Sequence, residues 1–198
     1  MKHPVFLQGR KTVLRPLSKE TDLDEAYVWM NTPEVTQYLR IRFPITYGEE
    51  ARFFDGLNVP TPNEVHLSVE ALDAGERKFI GFMGLREIRW VDRVATSGAV
   101  IGDPGYRGKG YGSDAKMSLL HYAFRTLGLR KVNSSVYSFN MRSLRYNEKC
   151  SYKEEGRRIK EVYRNGEFHD EILLAVFRED WEPLWEEYQR SGKLHSAL

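Results

Sequence analysis

The stretch Gly105-Tyr106-Arg107-Gly108-Lys109-Gly110-Tyr111-Gly112-Ser113 is the most informative part of this sequence. It follows a strand-like run, Val94 to Ile101, and precedes an amphipathic helical pattern that ends at Gly128. Glycines allow main-chain N–H groups to approach an anion closely, and a helix N-terminus adds partial positive charge. The stretch therefore predicts an anion-binding loop between a strand and a helix, with phosphate as its natural ligand.

Two common phosphate-binding loops do not fit this pattern. A nucleoside-triphosphate loop needs a lysine followed by Ser or Thr at the start of the helix, and no such pair is present. A dinucleotide loop counted from Gly108 would require glycine where Ser113 stands. A simple flexible turn before a helix remains open as an alternative.

The rest of the chain predicts an α+β domain. Helical patterns other than the one after the loop cover Asp22 to Asn31, Tyr47 to Leu57, Asn140 to Cys150 and Asp180 to Arg190. Strand-like runs cover Lys11 to Leu17, Val65 to Ala71, Lys78 to Ile88, Val94 to Ile101, Lys131 to Tyr137, Tyr152 to Tyr163 and Glu167 to Phe177. The last two runs flank Asn165-Gly166, a strong signal for a tight hairpin. This order predicts a mixed sheet.

Composition narrows the class of protein. The chain has 198 residues with 41% hydrophobic residues and a formal net charge of +2, as expected for a single globular domain spanning residues 1–198. The longest apolar run, Ile172 to Phe177, is far shorter than the about 20 residues of a membrane span. The single cysteine, Cys150, excludes an internal disulfide and a thiolate metal cluster, so we expect a cytoplasmic protein without metal.

Charge is unevenly distributed along the chain. From Arg107 to Lys131, six basic residues oppose only Asp114. From Glu167 to Glu187, eight acidic residues oppose only Arg178. Either run is a solvated surface or a binding surface, the first for an anion or RNA and the second for a cation. The small net charge makes a dedicated nucleic-acid binder the less favoured class.

The order of strand, Arg107-x-x-Gly110-x-Gly112 loop, helix, strand and a helix starting at Asn140 resembles the GCN5-related N-acetyltransferase (GNAT) superfamily, which binds acetyl-coenzyme A with such a loop. The segments after Asn140 and after Gly166 are similar to the RimJ/RimL branch, which includes ribosomal-protein N-terminal acetyltransferases. The resemblance covers about residues 10–182. A C-terminal helix is predicted at about 180–191. It implies a mostly antiparallel sheet of about seven strands, flanked by helices and splayed at the acetyl-CoA site.

The resemblance also implies roles for individual residues. Main-chain groups of Val100 and Ile101 would lie beside the pantetheine arm, Asn140 would contact that arm, and Ser143 would lie near it or near the sulfur. The pyrophosphate would be held by the N–H groups of Arg107, Gly108, Lys109, Gly110, Tyr111, Gly112 and Ser113. Two simpler roles remain open: Asn140 as a helix N-cap and Ser143 as an ordinary helical residue.

Acetyl transfer by direct attack of an amine on the thioester needs no covalent nucleophile, so we expect Cys150 to be a buried structural thiol. A main-chain N–H near Val100 or Ile101 would polarise the carbonyl. Many family members protonate the leaving thiolate with a tyrosine at the position of Asn147. One residue turns a helical side chain by about 100°, so Tyr146 does not simply replace that tyrosine. We therefore nominate Ser143 as the donor.

The general base is harder to find in the sequence. An α-amine, with a pKa of about 7.7–8.0, asks less of a base than a lysine-type amine with a pKa of about 10.4. Glu87 is our candidate base, and Glu161 or Asp170 in the final hairpin are alternatives. Histidine is a common general base, which makes His169 a further candidate, but a histidine in a hairpin is more often structural.

Together these observations predict an acetyl-CoA-dependent N-acetyltransferase that acts on a protein or peptide N-terminal α-amine, as a monomer or homodimer. A small-amine acetyltransferase, acting on a polyamine, antibiotic or amino sugar, is one alternative. A CoA-binding sensor or partner module without catalysis is another, since Asn147 replaces the expected tyrosine.

Overall fold

The computed structural model describes residues 4–57, 61–73 and 75–194, and places its eight strands in one sheet. The strands are β1 (Leu7–Gln8), β2 (Thr12–Pro16), β3 (Val65–Asp73), β4 (Glu76–Arg89), β5 (Val94–Ile101), β6 (Lys131–Tyr137), β7 (Lys153–Arg164) and β8 (Glu167–Phe177). Their order is β1-β2-β3-β4-β5-β6-β8-β7. Neighbouring strands pair antiparallel, except for the parallel pair β5–β6.

Within the described ranges, six α-helices flank this sheet. They are α1 (Lys19–Met30), α2 (Pro33–Thr36), α3 (Tyr47–Gly56), α4 (Tyr111–His121), α5 (Met141–Glu148) and α6 (Arg178–Ser191). A π-helical turn, Tyr122–Thr126, continues α4. Among the helices of the described ranges, none is both long enough and apolar enough to cross a bilayer.

The predicted α+β class and mostly antiparallel sheet are confirmed, but the sheet has eight strands rather than about seven. The extra strand, β1, has two residues and pairs with β2 through Leu7 and Leu14. The four-residue helix α2 was also not predicted. Elements this short contain too few residues to show a hydrophobic period. They form because neighbouring elements hold them in place.

Glycines set both ends of the segment that follows the loop. Gly110 is the N-cap of α4 with φ of 89°, and Gly128, after the π-helical turn, has φ of 66°. Both angles lie in the left-handed region, which glycine enters without steric cost. Between them α4 buries Ala115, Met117 and Leu120 against the sheet. The predicted helix therefore ends at Gly128, although its last turn is π-helical rather than α-helical.

Asp114, in the first turn of α4, hydrogen-bonds both to the segment around β2 and to α6. Its buried carboxylate accepts hydrogen bonds from the main-chain N–H groups of Arg10 and Lys11, each at 2.9 Å, and from Thr12 Oγ1 at 2.6 Å. The hydroxyl of Tyr188 in α6 donates to the same carboxylate. A buried carboxylate with all these donors is well satisfied. The glycine loop therefore lies next to a rigid helix terminus.

The sheet opens where β5 and β6 separate. These strands pair only from Val94 to Thr96 on β5 and from Lys131 to Asn133 on β6. Beyond Thr96, β5 stays with β4 while β6 stays with β8. The edge of β5 that faces β6 is thereby left without a strand partner, so its main-chain groups face the cleft. The predicted splay is confirmed.

Neither charged run forms one continuous surface. Lys116, in the middle of the basic run, is 1% exposed and lies on the buried face of α4. The acidic run is divided between β8, where Glu171 is buried, and α6, where Glu182 pairs with Arg125. Neither run therefore presents all of its charges on one surface, because the fold directs successive charges to different sides.

Candidate active site

Two adjoining cavities lie where the sheet opens. The first, called the loop cavity, has a volume of about 390 Å³ and is bounded by the glycine loop, β5, α2 and α5. Nine of the eleven residues predicted to bind the cosubstrate line it: Val100, Ile101, Arg107, Gly108, Gly110, Gly112, Ser113, Asn140 and Ser143. The other two, Lys109 and Tyr111, do not. Their proposed contribution is a main-chain N–H, and the ring of Tyr111 packs against Tyr106.

The loop cavity has the features of an anion site. Gly108 and Gly110 adopt φ of 73° and 89°, so the loop turns without side chains in its way. Among the residues that the structure describes, no side chain caps the N-terminus of α4, and the first N–H groups of α4 have no partner within the helix. Four cationic side chains line the cavity against one carboxylate, Glu34. They are Arg107, Arg142, Arg145 and Lys149. These residues fit a pyrophosphate group.

Arg107 supports the loop from inside. Its Nε donates to the carbonyl of Ile101 at 2.8 Å and its guanidinium also donates to the carbonyl of Gly102 at 2.6 Å. Burial, together with nearby Arg142, lowers the pKa of Arg107, although an arginine remains charged. Two of the five donors of this side chain thus tie the loop to the end of β5. The remaining donors are available to a ligand in the loop cavity.

Asn140 and Ser143 lie on the walls of both cavities. Asn140 is also the N-cap of α5, since its Oδ1 accepts the N–H of Ser143 at 3.1 Å. Such a cap contributes about 1 kcal/mol. The simpler role for Asn140 is therefore real, but the cap occupies only its oxygen. Its amide N–H groups remain able to reach a ligand.

Tyr146 also lies at the junction, although the sequence argument set it aside in favour of Ser143. It lines both cavities, whereas Asn147 lines only the second. The Tyr146 hydroxyl is buried and has no hydrogen-bond partner among the described residues. Burial raises the pKa of Tyr146, so its hydroxyl stays protonated. Because α5 ends in the opening of the sheet, side chains about 100° apart both reach a cavity wall.

The second cavity, called the sheet cavity, has a volume of about 410 Å³ and lies between the two arms of the splayed sheet. It shares seven lining residues with the loop cavity: Tyr38, Leu39, Ala99, Val100, Asn140, Ser143 and Tyr146. Two groups bound side by side would therefore meet at Val100, Ser143 and Tyr146. Sequence reasoning missed Tyr38 and Leu39 because they follow α2, which has no periodic pattern.

Glu171 is the single carboxylate among the described residues that line the sheet cavity. It accepts hydrogen bonds from Ser135 at 2.7 Å, Arg40 at 3.0 Å and Arg158 at 2.7 Å. Burial alone would raise the pKa of Glu171, but these three donors outweigh it and hold the pKa below its ordinary value. Glu171 is therefore ionised and fully engaged, which makes it a poor general base.

Lys116 forms part of the floor of the sheet cavity. Its Nζ donates to Ser97 Oγ at 2.8 Å and lies 5.2 Å and 5.1 Å from the ring centroids of Tyr146 and Tyr152. No carboxylate pairs with it among the described residues. Burial lowers the pKa of Lys116 to about 8. At neutral pH this lysine still carries most of its charge.

The sequence-predicted bases lie elsewhere. Glu87, our first candidate, is exposed, accepts a hydrogen bond from Thr96 at 2.9 Å and lines neither cavity. Glu161 and Asp170 also line neither, and Asp170 accepts the N–H of Lys160. The ring of His169 packs against Phe139. None of these four residues lies on the wall of either cavity.

Cys150 is fully buried at the end of α5, as expected of a structural thiol. Burial raises its pKa to about 12, so it is not a reactive thiolate. Within the described ranges, no cluster of three or more His, Cys, Asp or Glu side chains is arranged to hold a metal.

A glycine loop at an uncapped helix N-terminus, beside a parallel strand pair that opens, is the arrangement that the resemblance to acyl-CoA-dependent transferases predicts. Residues 11–153 match the family model described as an acetyltransferase (GNAT) domain. The chain therefore belongs to the GNAT family and is an N-acetyltransferase that uses acetyl-CoA.

Individual relatives agree on the class of enzyme. The chain is 38% identical over 77 residues to the SPbeta prophage-derived uncharacterized N-acetyltransferase YokL of Bacillus subtilis, a match covering 39% of this chain and 44% of that protein. It is 28% identical over 135 residues to the spermidine N(1)-acetyltransferase of Vibrio cholerae, covering 67% and 78%. A crystal structure of spermidine N-acetyltransferase from Vibrio cholerae, with CoA and spermine, superposes with a TM-score of 0.78 at 24% identity, covering 87% and 98%. At that identity the superposition establishes the fold.

Proposed function

We propose that this enzyme transfers acetyl from acetyl-CoA to the α-amine of a peptide or protein, in the manner of the RimJ/RimL-like branch. One observation supports this acceptor: the single carboxylate on the sheet-cavity wall, Glu171, is fully engaged by other side chains. An amine with a pKa of about 10.4 is neutral in only about one molecule in 2,500 at pH 7. An α-amine is about 10–20% neutral and needs far less help from a base.

The proposed arrangement places the thioester at the junction of the two cavities. The N–H groups from Arg107 to Ser113 would hold the pyrophosphate, while main-chain groups of Val100 and Ile101 and the side chain of Asn140 would bind the pantetheine arm. A main-chain N–H on the open edge of β5 would polarise the carbonyl as the amine attacks. As the new C–N bond forms, the C–S bond would break, and the proton lost by the amine would pass to the sulfur, which leaves as the CoA thiol. Ser143 would donate a hydrogen bond to the departing sulfur, with the protonated Tyr146 hydroxyl as the second donor at the junction.

The cations around the sheet cavity support the same acceptor. Arg40, Arg86 and Lys116 line it against Glu171 alone. Positive neighbours lower the pKa of a bound amine and so favour its neutral, nucleophilic form. They also oppose a second or third positive charge on the acceptor. The relatives named for spermidine suggest a small-amine enzyme, but a polyamine would bring its extra charges against these side chains.

We also propose that the chain works as a single cytoplasmic domain, either as a monomer or as a homodimer. The lone, buried Cys150 is consistent with a reducing compartment. Nothing in the proposed chemistry requires a second domain.

The experiment is an acceptor panel at pH 7.5 with acetyl-CoA, in which the release of CoA thiol and the acetylated product are both measured. One peptide has a free α-amine and blocked lysines, its partner has a blocked α-amine and a free lysine, and spermidine is the third acceptor. We expect kcat/KM to be highest for the free α-amine. Preferential turnover of spermidine would establish the small-amine alternative, and tight CoA binding without any turnover would indicate a non-catalytic module.

A further inference from the structure

We propose that the acceptor carries a carboxylate close to its amine, and that Arg86 and Arg40 recognise this carboxylate on the walls of the sheet cavity. The inference rests on the proposed function, since it concerns the acceptor of the same site. The shared chemistry is an amine with a nearby carboxylate. Its source is either an acidic side chain near a peptide N-terminus or the α-carboxylate of a free amino acid.

Arg86 is an exposed cation on β4 that lines the sheet cavity. Among the described residues it has no hydrogen-bond or ion-pair partner. The adjacent carboxylate of Glu87 is directed to Thr96 instead. A guanidinium offers five N–H donors in a planar fork that matches a carboxylate. Arg86 is therefore a charged donor on the cavity wall with its hydrogen bonds unused.

Arg40 supplies a second cation from the other arm of the sheet. It reaches Glu171 on β8 at 3.0 Å, but Arg158 reaches the other oxygen of the same carboxylate at 2.7 Å. Two arginines thus share one negative charge, which leaves an excess positive charge at this wall. The Arg40 side chain is 69% exposed, so most of its donors face solvent.

The two arginines flank the cavity from opposite sides. Arg86 belongs to the β4–β5 arm, and Arg40 is tied through Glu171 to the β6–β8–β7 arm. Lys116 adds positive charge at the floor. An acceptor between the arms meets cations on three sides and one neutralised carboxylate. A unit charge several ångströms from Arg86, in a partly solvated site, changes affinity by about threefold, so a difference of two unit charges changes it by about tenfold.

The test compares acceptors that differ only in charge. Amidated tetrapeptides with alanine first and with glutamate, glutamine or lysine second are assayed with the wild-type enzyme at low salt. We expect kcat/KM to fall from glutamate to glutamine to lysine, with about tenfold between the first and the last. Free glutamate and free alanine form a second arm. If they exceed the amidated peptides, the recognised group is the α-carboxylate of an amino acid.

Charge reversal assigns the effect to Arg86. The variant Arg86→Glu should lower the rate with the glutamate peptide by about tenfold and raise the rate with the lysine peptide. The matched control is Arg89→Glu on the same strand, because Arg89 pairs with Asp92 and lines neither cavity. The control changes the net charge equally and should leave the ratio of rates unchanged. Arg40→Gln should weaken the preference less, since Arg158 still engages Glu171.

The outcomes separate this inference from the proposed function. Equal rates for the three peptides, or a ratio that Arg86→Glu leaves unchanged, would overturn the carboxylate-bearing acceptor while leaving an α-amine acetyltransferase in place. Turnover of spermidine with none of any α-amine would overturn both. A ratio shifted equally by Arg86→Glu and Arg89→Glu would point to overall net charge and would also overturn the role of Arg86.

Discussion

The loop cavity and the sheet cavity share a wall but are built in different ways. The part of the loop cavity proposed to hold the pyrophosphate comes from one continuous segment, Arg107 to Ser113, between β5 and α4, while α2 and α5 complete the cavity wall. The sheet cavity uses side chains from β4, β5, β6, β8, α4, α5 and the segment after α2. A site made by a backbone conformation can be recognised in the sequence by the glycines that the conformation requires. A site assembled from separate side chains leaves no such local mark.

The largest expected effect is on CoA binding, when a glycine of the loop cavity is replaced. Gly110→Val should weaken CoA binding by at least about a hundredfold, because a β-branched residue is strained at φ of 89° and would distort the loop whose N–H groups are proposed to hold the pyrophosphate. Isothermal titration with CoA measures the effect. The matched control is Gly75→Val, because Gly75 has φ of 86° in a turn outside both cavities.

If Gly75→Val weakened CoA binding as much as Gly110→Val, the loss would come from general strain. A folded Gly110→Val protein with unchanged affinity would remove the loop from the donor site altogether.

A smaller effect is expected on stability, when the buried Lys116 on the floor of the sheet cavity is replaced. The pKa of Lys116 is about 8 in the folded protein, below its ordinary value of 10.5, so the unfolded chain holds the proton more tightly. Burying the charged lysine therefore lowers the free energy of unfolding. This loss of stability is fully present below pH 8, where Lys116 is charged in both states, and disappears as the pH rises to 10.5. Lys116→Met should therefore raise the free energy of unfolding by about 2 kcal/mol at pH 7, after allowing for the lost contact with Ser97.

Denaturant unfolding at several pH values measures this difference, which should shrink between pH 8 and 10.5. Lys153→Met, at a lysine whose side chain is 70% exposed, serves as the control and should show no such gain. A Lys116→Met protein that is less stable than the wild type at pH 7 would mean that the buried charge is favourably solvated by its surroundings.

The smallest effect lies at the junction of the two cavities. Ser143→Ala should lower kcat by about tenfold, since general-acid help to a leaving group is only partly lost when a second donor remains. The affinity for CoA should stay nearly constant. Tyr146→Phe is the paired variant: it removes the other hydroxyl at the junction while keeping the ring that packs against Gly112. If steady-state measurements show a lower kcat only for Tyr146→Phe, the donor is Tyr146 rather than Ser143.

The sequence-based predictions were accurate for features that depend on neighbouring residues and inaccurate for contacts between distant ones. The strands Val94–Ile101 and Lys131–Tyr137, the end of the helical segment at Gly128 and the Asn165-Gly166 hairpin were all predicted, because periodicity and turn chemistry are local. The placement of Glu87 beside the chemistry found no support, since a residue's neighbours in another strand or helix are not encoded locally.

Sequence alone determined the family, the glycine loop between β5 and α4 and the order of the elements, because each depends on neighbouring residues and on backbone angles that few residue types adopt. Only the tertiary structure decided which charges face the sheet cavity. Burial places Lys116 under the cleft, and two arginines distant in sequence converge on Glu171. Long-range packing selects these contacts. No local pattern along the chain specifies which charged side chains will meet.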